Sequence, residues 1–154
     1  MLEASRKNPF YSNGLYFSCT CCSACCRFES GYVFLSKKDV SILRDNLHME
    51  YKEFIETYCR WIPMENKRYE LSLKEKSNFD CIFWKNGVCS VYGSRPLQCK
   101  AFPFWSSIVN SKKNWEATGK DCPGIGRQIL HSPDSINRWL AQREKEPIMS
   151  RGVL

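Results

Sequence analysis

Residues 17–26 read Phe17-Ser18-Cys19-Thr20-Cys21-Cys22-Ser23-Ala24-Cys25-Cys26, which places five cysteines within eight positions. Two C-x-x-C units overlap in this stretch, Cys19 with Cys22 and Cys22 with Cys25. A spacer of two residues lets both sulfurs converge on one centre while the intervening amides point toward them. The ferredoxin run C-x2-C-x2-C begins with the same double spacing. The stretch therefore predicts a cysteine-ligated metal centre around which the chain folds.

Four cysteines further along the chain are candidates to complete this centre, because eight adjoining residues rarely close a metal site by themselves. They are Cys81, Cys89, Cys99 and Cys122. Cys25 and Cys26 raise a separate question, since adjacent side chains are expected to diverge and so to share a single ion poorly. We therefore expect either two sites that share this loop or one multinuclear cluster.

The spacing of the cysteines favours an iron–sulfur cluster and leaves zinc as the alternative. Zinc ribbons and fingers are typically built from separated C-x-x-C pairs. Here the downstream cysteines have spacers of 7, 9 and 22 residues and form no second C-x-x-C pair. The dipeptide Cys122-Pro123 is also similar to the Cys-Pro end of ferredoxin runs.

The full order of motifs resembles a known family. Phe17-x-Cys19-x-x-Cys22-x-x-Cys25-Cys26 is followed by Cys81, by Cys89-x-x-Tyr92-x-x-Arg95-Pro96-x-x-Cys99-x-x-Phe102-Pro103, and by Cys122. Over about residues 15–126 this is similar to the CxxCxxCC (YkgJ-like) family, described as zinc- or iron-chelating domains. The resemblance implies eight metal ligands: Cys19, Cys22, Cys25, Cys26, Cys81, Cys89, Cys99 and Cys122. A similar pattern occurs in flagellin lysine-N-methylases, which are regarded as iron–sulfur proteins.

The remaining cysteines fall outside this pattern. Cys59 lies on a predicted apolar helical stripe and is expected to be a buried core thiol, whereas Cys21 is expected to point into solvent. His48 and His131 have no partner at metal-ligand spacing, so we expect neither to bind metal.

Two residues of the downstream motif are candidates to support the metal ligands without binding the metal themselves. Arg95 is expected either to donate hydrogen bonds to thiolate sulfur or to make a structural bond to a backbone carbonyl or carboxylate. Tyr92 is expected in the core with its hydroxyl bonded.

Composition and charge restrict the possible partners. The chain has 154 residues, of which 43% are hydrophobic, so it can bury a real core. The formal net charge of +7 falls to about +5 with one four-thiolate site on a divalent ion, and to about +3 with two. Basic residues are spread along the chain, so a nucleic-acid partner is only weakly supported. The chain shows no export signal and no bilayer-spanning run, and we therefore expect a reducing cytoplasm.

The pattern of elements predicts an α+β fold in one small domain organised around the metal centre. It comprises a polar arm over 1–14, a metal core over 15–126 and a C-terminal helix over about 132–146. Ser36 and Asp39 predict the start of a helix, and a second helix is expected from Tyr51 to Ile62. Pro96, with Ser94 as its cap, predicts a short helix that carries Cys99. Strands are predicted over 32–35, 68–73, up to Val109 and around Trp115, with a hairpin over 79–91 that turns at Asn86-Gly87.

Three classes of function follow. The first is a metal-binding protein that uses an iron–sulfur cluster or zinc in electron transfer or metal handling. The second is an iron–sulfur oxidoreductase or an accessory to a modifying enzyme, although no catalytic constellation beyond the metal centre stands out. The third is a zinc-stabilised adaptor for nucleic acid or protein. We favour the first class.

Overall fold

Short helices and short strands are interspersed along the chain, and the strands of the described residues pair into three small antiparallel sheets, so the predicted α+β class is confirmed. The computed structural model describes residues 8–22, 25–26 and 31–152. Its helices are α1 (Lys37–Leu47), α2 (Tyr51–Tyr58), α3 (Leu97–Ala101), α4 (Ser106–Val109), α5 (Lys112–Gly119) and α6 (Pro133–Lys145). Its strands are β1 (Leu15–Phe17), β2 (Cys59–Pro63), β3 (Arg68–Leu73), β4 (Trp84–Lys85), β5 (Val88–Cys89), β6 (Ile125–His131) and β7 (Ser150–Gly152).

Contacts divide the chain into two compact units, which we describe separately. The first unit comprises Met1–Cys22 and Pro103–Gln142, and the second comprises Ser23–Phe102 and Arg143–Leu154. The single-domain boundaries expected from the sequence stay a prediction. No helix among the described residues is long and apolar enough to cross a bilayer.

The second unit is built on the antiparallel sheet β2-β3-β7. Cys59 pairs with Leu73 at one end of β2 and Pro63 pairs with Tyr69 at the other. A core of fully or nearly fully buried side chains packs beside it: Leu35, Val40, Leu43, Phe54, Cys59, Leu71, Leu73, Phe83 and Val91. Cys59 is therefore a core thiol, as the sequence predicts, with 5% of its surface exposed.

Helix α1 begins with the predicted capping box. The Ser36 hydroxyl accepts from Asp39 N–H at 3.1 Å, and Asp39 Oδ2 accepts from Ser36 N–H at 2.8 Å. Two of the backbone donors that a helix start leaves unpaired are satisfied in this way. The helix ends at His48, which adopts the left-handed conformation with φ 54°.

The second predicted helix is too long. Helix α2 stops at Tyr58, and Cys59 begins β2 instead of continuing an apolar helical stripe to Ile62. The backbone of β2 finds its hydrogen-bond partners on β3, so long-range pairing overrides the local helical period.

The predicted strand over 32–35 is an extended segment that pairs only partly with β3. Leu35 N–H donates to Leu71 O at 3.0 Å, and Leu73 N–H donates to Val33 O at 3.0 Å. The predicted hairpin is present but shorter, with β4 and β5 joined at Asn86 (φ 51°) and Gly87 (φ 77°). Two residues with positive φ are what a type I′ turn requires.

Helix α3, which carries Cys99, begins after Pro96 as expected, but Ser94 does not cap it. Ser94 lies in a 3₁₀ turn. The residue at the N-cap position is Pro96, whose side chain makes no capping hydrogen bond. Leu97 N–H donates instead to Asp39 Oδ1 at 2.9 Å. The buried Asp39 carboxylate therefore accepts hydrogen bonds from backbone N–H groups at the starts of both α1 and α3.

In the first unit, β1 pairs with β6, and the sequence predicted neither strand. The strands predicted up to Val109 and around Trp115 are wrong, because these residues form α4 and α5. Ser111 caps α5 by accepting from Asn114 N–H at 3.1 Å, and the buried Trp115 ring stacks on Phe104 with centroids 6.0 Å apart. The last predicted helix corresponds to α6, with Ile136 fully buried.

Candidate metal centre

The eight pattern cysteines lie in both units. Cys19 and Cys22 follow β1, and Cys122 lies in the loop before β6, all in the first unit. The second unit holds five: Cys25 and Cys26 in a turn, Cys81 in a bridge with Glu75, Cys89 at the end of β5 and Cys99 in α3. No disulfide joins any of the ten cysteines, all of which lie among the described residues.

The sulfurs of Cys25 and Cys26 lie side by side, 3.8 Å apart. The expectation that these adjacent side chains diverge is therefore wrong, because the turn at this position directs both to the same side. Zinc–sulfur bonds of 2.3 Å in a tetrahedron place two ligand sulfurs about 3.8 Å apart. The pair thus has the separation of two thiolates on one ion.

A backbone bond connects this pair with the downstream cysteines. Cys81 N–H donates to Cys26 O at 2.8 Å, which joins the Cys25–Cys26 turn to the residue that pairs with Glu75. The sulfurs also influence one another electrostatically. Burial raises the pKa of Cys99 most, and negative charge on Cys81, Cys25 or Cys89 raises it further.

The cysteine thiols of the second unit differ in pKa. A hydrogen bond from the Cys26 thiol lowers the pKa of Cys25 to about 6, with the Arg95 charge acting in the same direction. The same bond, together with desolvation, raises the pKa of Cys26. Desolvation also raises the pKa of Cys81 and Cys99. Several thiolates can therefore coexist here only with a compensating positive charge, which a metal cation supplies.

Arg95 makes the structural bond to a backbone carbonyl, which is one of the two roles that the sequence left open. Its Nε donates to Tyr92 O at 3.0 Å, and its guanidinium carbon lies 3.8 Å from the centre of the Tyr92 ring. Its charge adds to the Cys26 hydrogen bond that lowers the pKa of Cys25, and it partly opposes the burial that raises the pKa of Cys99. Tyr92 is not a core residue, since 59% of its surface is exposed; it supports Arg95 from the solvent side.

In the first unit, backbone pairing brings the loops of Cys19 and Cys122 together. Ser18 N–H donates to Gly124 O at 3.0 Å, and Phe17 pairs with Ile125. A Cβ on Gly124 would overlap the Ser18 carbonyl oxygen, so the close approach requires glycine. Cys21 is exposed, as expected, and has φ 57°.

The two histidines have structural surroundings. His131 Nε2 lies 2.9 Å from Phe17 O, and its ring packs 4.8 Å from that of Phe104. His48 closes α1 on the surface.

The comparison with protein families decides what kind of chain this is. Residues 18–123 match the family model CxxCxxCC, described as "Putative zinc- or iron-chelating domain". The chain belongs to the CxxCxxCC family. A relative, described as uncharacterized protein MJ0661 of Methanocaldococcus jannaschii, is 30% identical over 108 residues, which cover 69% of this chain and 54% of the relative. The chain thus spans about half the length of that relative. No solved structure matches.

The donor chemistry of this CxxCxxCC chain fits zinc or iron. Thiolate sulfur is the ligand that zinc sites and iron–sulfur clusters share. Over residues 8–22, 25–26 and 31–152, no three His, Cys, Asp or Glu side chains already gather in a ligating arrangement. Which of the cysteines share an ion or cluster therefore stays a prediction.

Two side chains near the CxxCxxCC cysteines were missed by the sequence analysis. Glu75 accepts from Gly31 N–H, and Gln98 bonds the backbone of Tyr32 and Phe34. Neither belongs to a recognisable local pattern, since their partners lie 44 to 66 residues away. A cavity of about 80 Å³ lies between the Cys25–Cys26 pair, Cys81 and Glu75.

Proposed function

We propose that the protein binds a metal centre through Cys19, Cys22, Cys25, Cys26, Cys81, Cys89, Cys99 and Cys122, in the service of electron transfer or metal handling in the cytoplasm. The observation that carries the proposal is the convergence of Cys25 and Cys26, whose sulfurs are 3.8 Å apart, with Cys81 bonded to the same turn. Arg95 would stabilise the thiolate charge, as its effect on Cys25 and Cys99 indicates.

An iron–sulfur cluster is the first candidate. It is supported by the double C-x-x-C run of Cys19, Cys22 and Cys25, a spacing typical of cluster-binding loops. The cluster would supply one-electron chemistry to a bound partner.

Zinc bound by four thiolates is the second candidate, and a different observation favours it. In a four-iron cluster each cysteine binds its own iron, so the thiolates lie further apart than the ligands of one ion. The 3.8 Å between Cys25 and Cys26 matches the single-ion geometry.

Anaerobic purification followed by metal and sulfide analysis tests both candidates. A brown protein with iron and acid-labile sulfide establishes the cluster, whereas a colourless protein with stoichiometric zinc and no sulfide establishes the zinc site. A folded protein that retains neither metal when either is supplied in excess contradicts the proposal.

A cysteine pair adjacent in sequence provides the matched variants. Cys22→Ser removes a pattern cysteine and should abolish or sharply reduce metal content, with a loss of stability because metal binding contributes to folding. Cys21→Ser changes an exposed cysteine outside the pattern and should leave metal content unchanged. Equal metal content in the two variants would remove Cys22 from the ligand set.

A further inference from the structure

Residues 31–34 follow the cysteine run, and side chains from distant elements bind their backbone. Gly31 N–H donates to Glu75 Oε2 at 3.2 Å, and Gly31 O accepts from Arg60 Nη2 at 3.2 Å. Val33 N–H donates to the Ser72 hydroxyl at 3.1 Å. This short stretch is therefore held at several points that ordinary strand pairing does not provide.

Gln98 binds the same stretch twice. Its Nε2 donates to Tyr32 O at 2.7 Å, and its Oε1 accepts from Phe34 N–H at 2.9 Å. One side-chain amide thus replaces a neighbouring strand, since it offers a donor and an acceptor in the place of a peptide group. Gln98 directly precedes Cys99 in α3, so these two bonds fix the distance between the Cys99 backbone and the stretch after Cys26.

Glu75 provides the equivalent connection to Cys81. Its backbone forms a bridge with Cys81, whose N–H donates to Cys26 O. Its carboxylate reaches Gly31 through Oε2, while Oε1 lies 3.6 Å from Arg60 Nη2. The Glu75 side chain is only 16% exposed, so the carboxylate is largely shielded from competing water.

We propose that Glu75 and Gln98 are positioning residues that hold the Cys25–Cys26 pair in place relative to Cys81 and Cys99. Each lies beside a downstream cysteine in structure or sequence, and each bonds the backbone of residues 31–34, five to eight positions after Cys26. The inference deepens the proposed function and rests on it, because what is positioned are proposed metal ligands. Groups that orient metal ligands without touching the ion change metal affinity by about 10- to 100-fold when they are removed.

Glu75→Ala and Gln98→Ala, made separately in the full chain, test the inference. Each variant is purified with its metal, and the rate at which excess EDTA removes that metal is measured. We expect release at least about tenfold faster than from the wild type, because the upstream sulfurs lose their fixed position. Glu75→Gln keeps an acceptor for Gly31 N–H and should release metal more slowly than Glu75→Ala. Reconstitution with Co²⁺ adds a spectroscopic readout, in which the alanine variants should show weaker thiolate-to-cobalt absorption.

Two control variants separate positioning from a general loss of stability. Leu43→Ala opens a cavity in the core of the same unit but removes none of the side-chain hydrogen bonds to residues 31–34, and Glu146→Gln removes an ion pair with Lys38. We expect both to release metal at nearly the wild-type rate. Wild-type release from Glu75→Ala and Gln98→Ala would overturn the inference, as would equally fast release from Leu43→Ala at equal stability. A wild-type chain that binds no metal would instead contradict the proposed function.

Discussion

At the scale of single residues, Asp39 connects two helices of the second unit. Its carboxylate is 4% exposed and accepts from Ser36 N–H through one oxygen and from Leu97 N–H through the other. Asp39→Asn replaces one acceptor by an N–H₂ donor facing a backbone N–H. We expect the free energy of unfolding to fall by about 1–3 kcal/mol, the cost of leaving a buried donor unpaired. Urea unfolding measures it, with Asp45→Asn, an exposed carboxylate of the same helix, as a control that should change little.

The same residue shows what a sequence pattern can and cannot predict. The spacing of Ser36 and Asp39 predicts the capping box because both partners lie within one helical turn. The bond from Asp39 to Leu97 spans 58 residues and depends on the completed fold. The ligand candidates can be predicted because dense cysteine spacing is a local pattern. The roles of Glu75 and Gln98 cannot be predicted, because their bonds to residues 31–34 also depend on the completed fold.

At the scale of elements, the turn between Cys122 and β6 tolerates only glycine at position 124. A methyl group on Gly124 would overlap the carbonyl oxygen of Ser18, the residue whose N–H bonds Gly124 O. Gly124→Ala should therefore force β1 and β6 apart and lower the free energy of unfolding by about 1–3 kcal/mol, the usual cost of overpacking. Thermal unfolding checks this, and Gly93→Ala is the control, since no atom lies within 4 Å of its added Cβ. Equal stability of the two variants would contradict the close approach.

Element types were predicted correctly where local signals and long-range pairing agree. Asn86-Gly87 dictates a tight turn whatever surrounds it, so the hairpin is confirmed. Residues 59–62 continue an apolar helical period, yet β3 offers them a hydrogen-bonded ladder, and the ladder prevails. The strand predicted around Trp115 is the opposite error, because the Ser111 cap and packing on Phe104 favour a helix.

At the scale of the whole molecule, pH should affect the metal-bound and metal-free proteins in opposite directions. Metal ligands must be thiolates, so protons compete with the metal and the bound form loses metal and stability as pH falls. In the metal-free protein, burial raises the pKa of Cys59 to about 12 from an ordinary value of 9.0. A group whose pKa is raised by folding stabilises the fold below its ordinary pKa, and this contribution is lost as pH rises toward the folded value.

Thermal and urea unfolding across pH, with and without EDTA, test this prediction. With EDTA, the free energy of unfolding should fall above about pH 9 by about 1.4 kcal/mol per pH unit for each buried thiol that resists ionisation. Cys59→Val removes one such thiol at little change in volume and should make that alkaline slope shallower. Without EDTA, stability should instead decline toward acid pH together with metal content, and Cys59→Val should leave this acid limb unchanged because Cys59 lies outside the ligand pattern. An acid limb that persists in EDTA would show that metal ligation is not its cause.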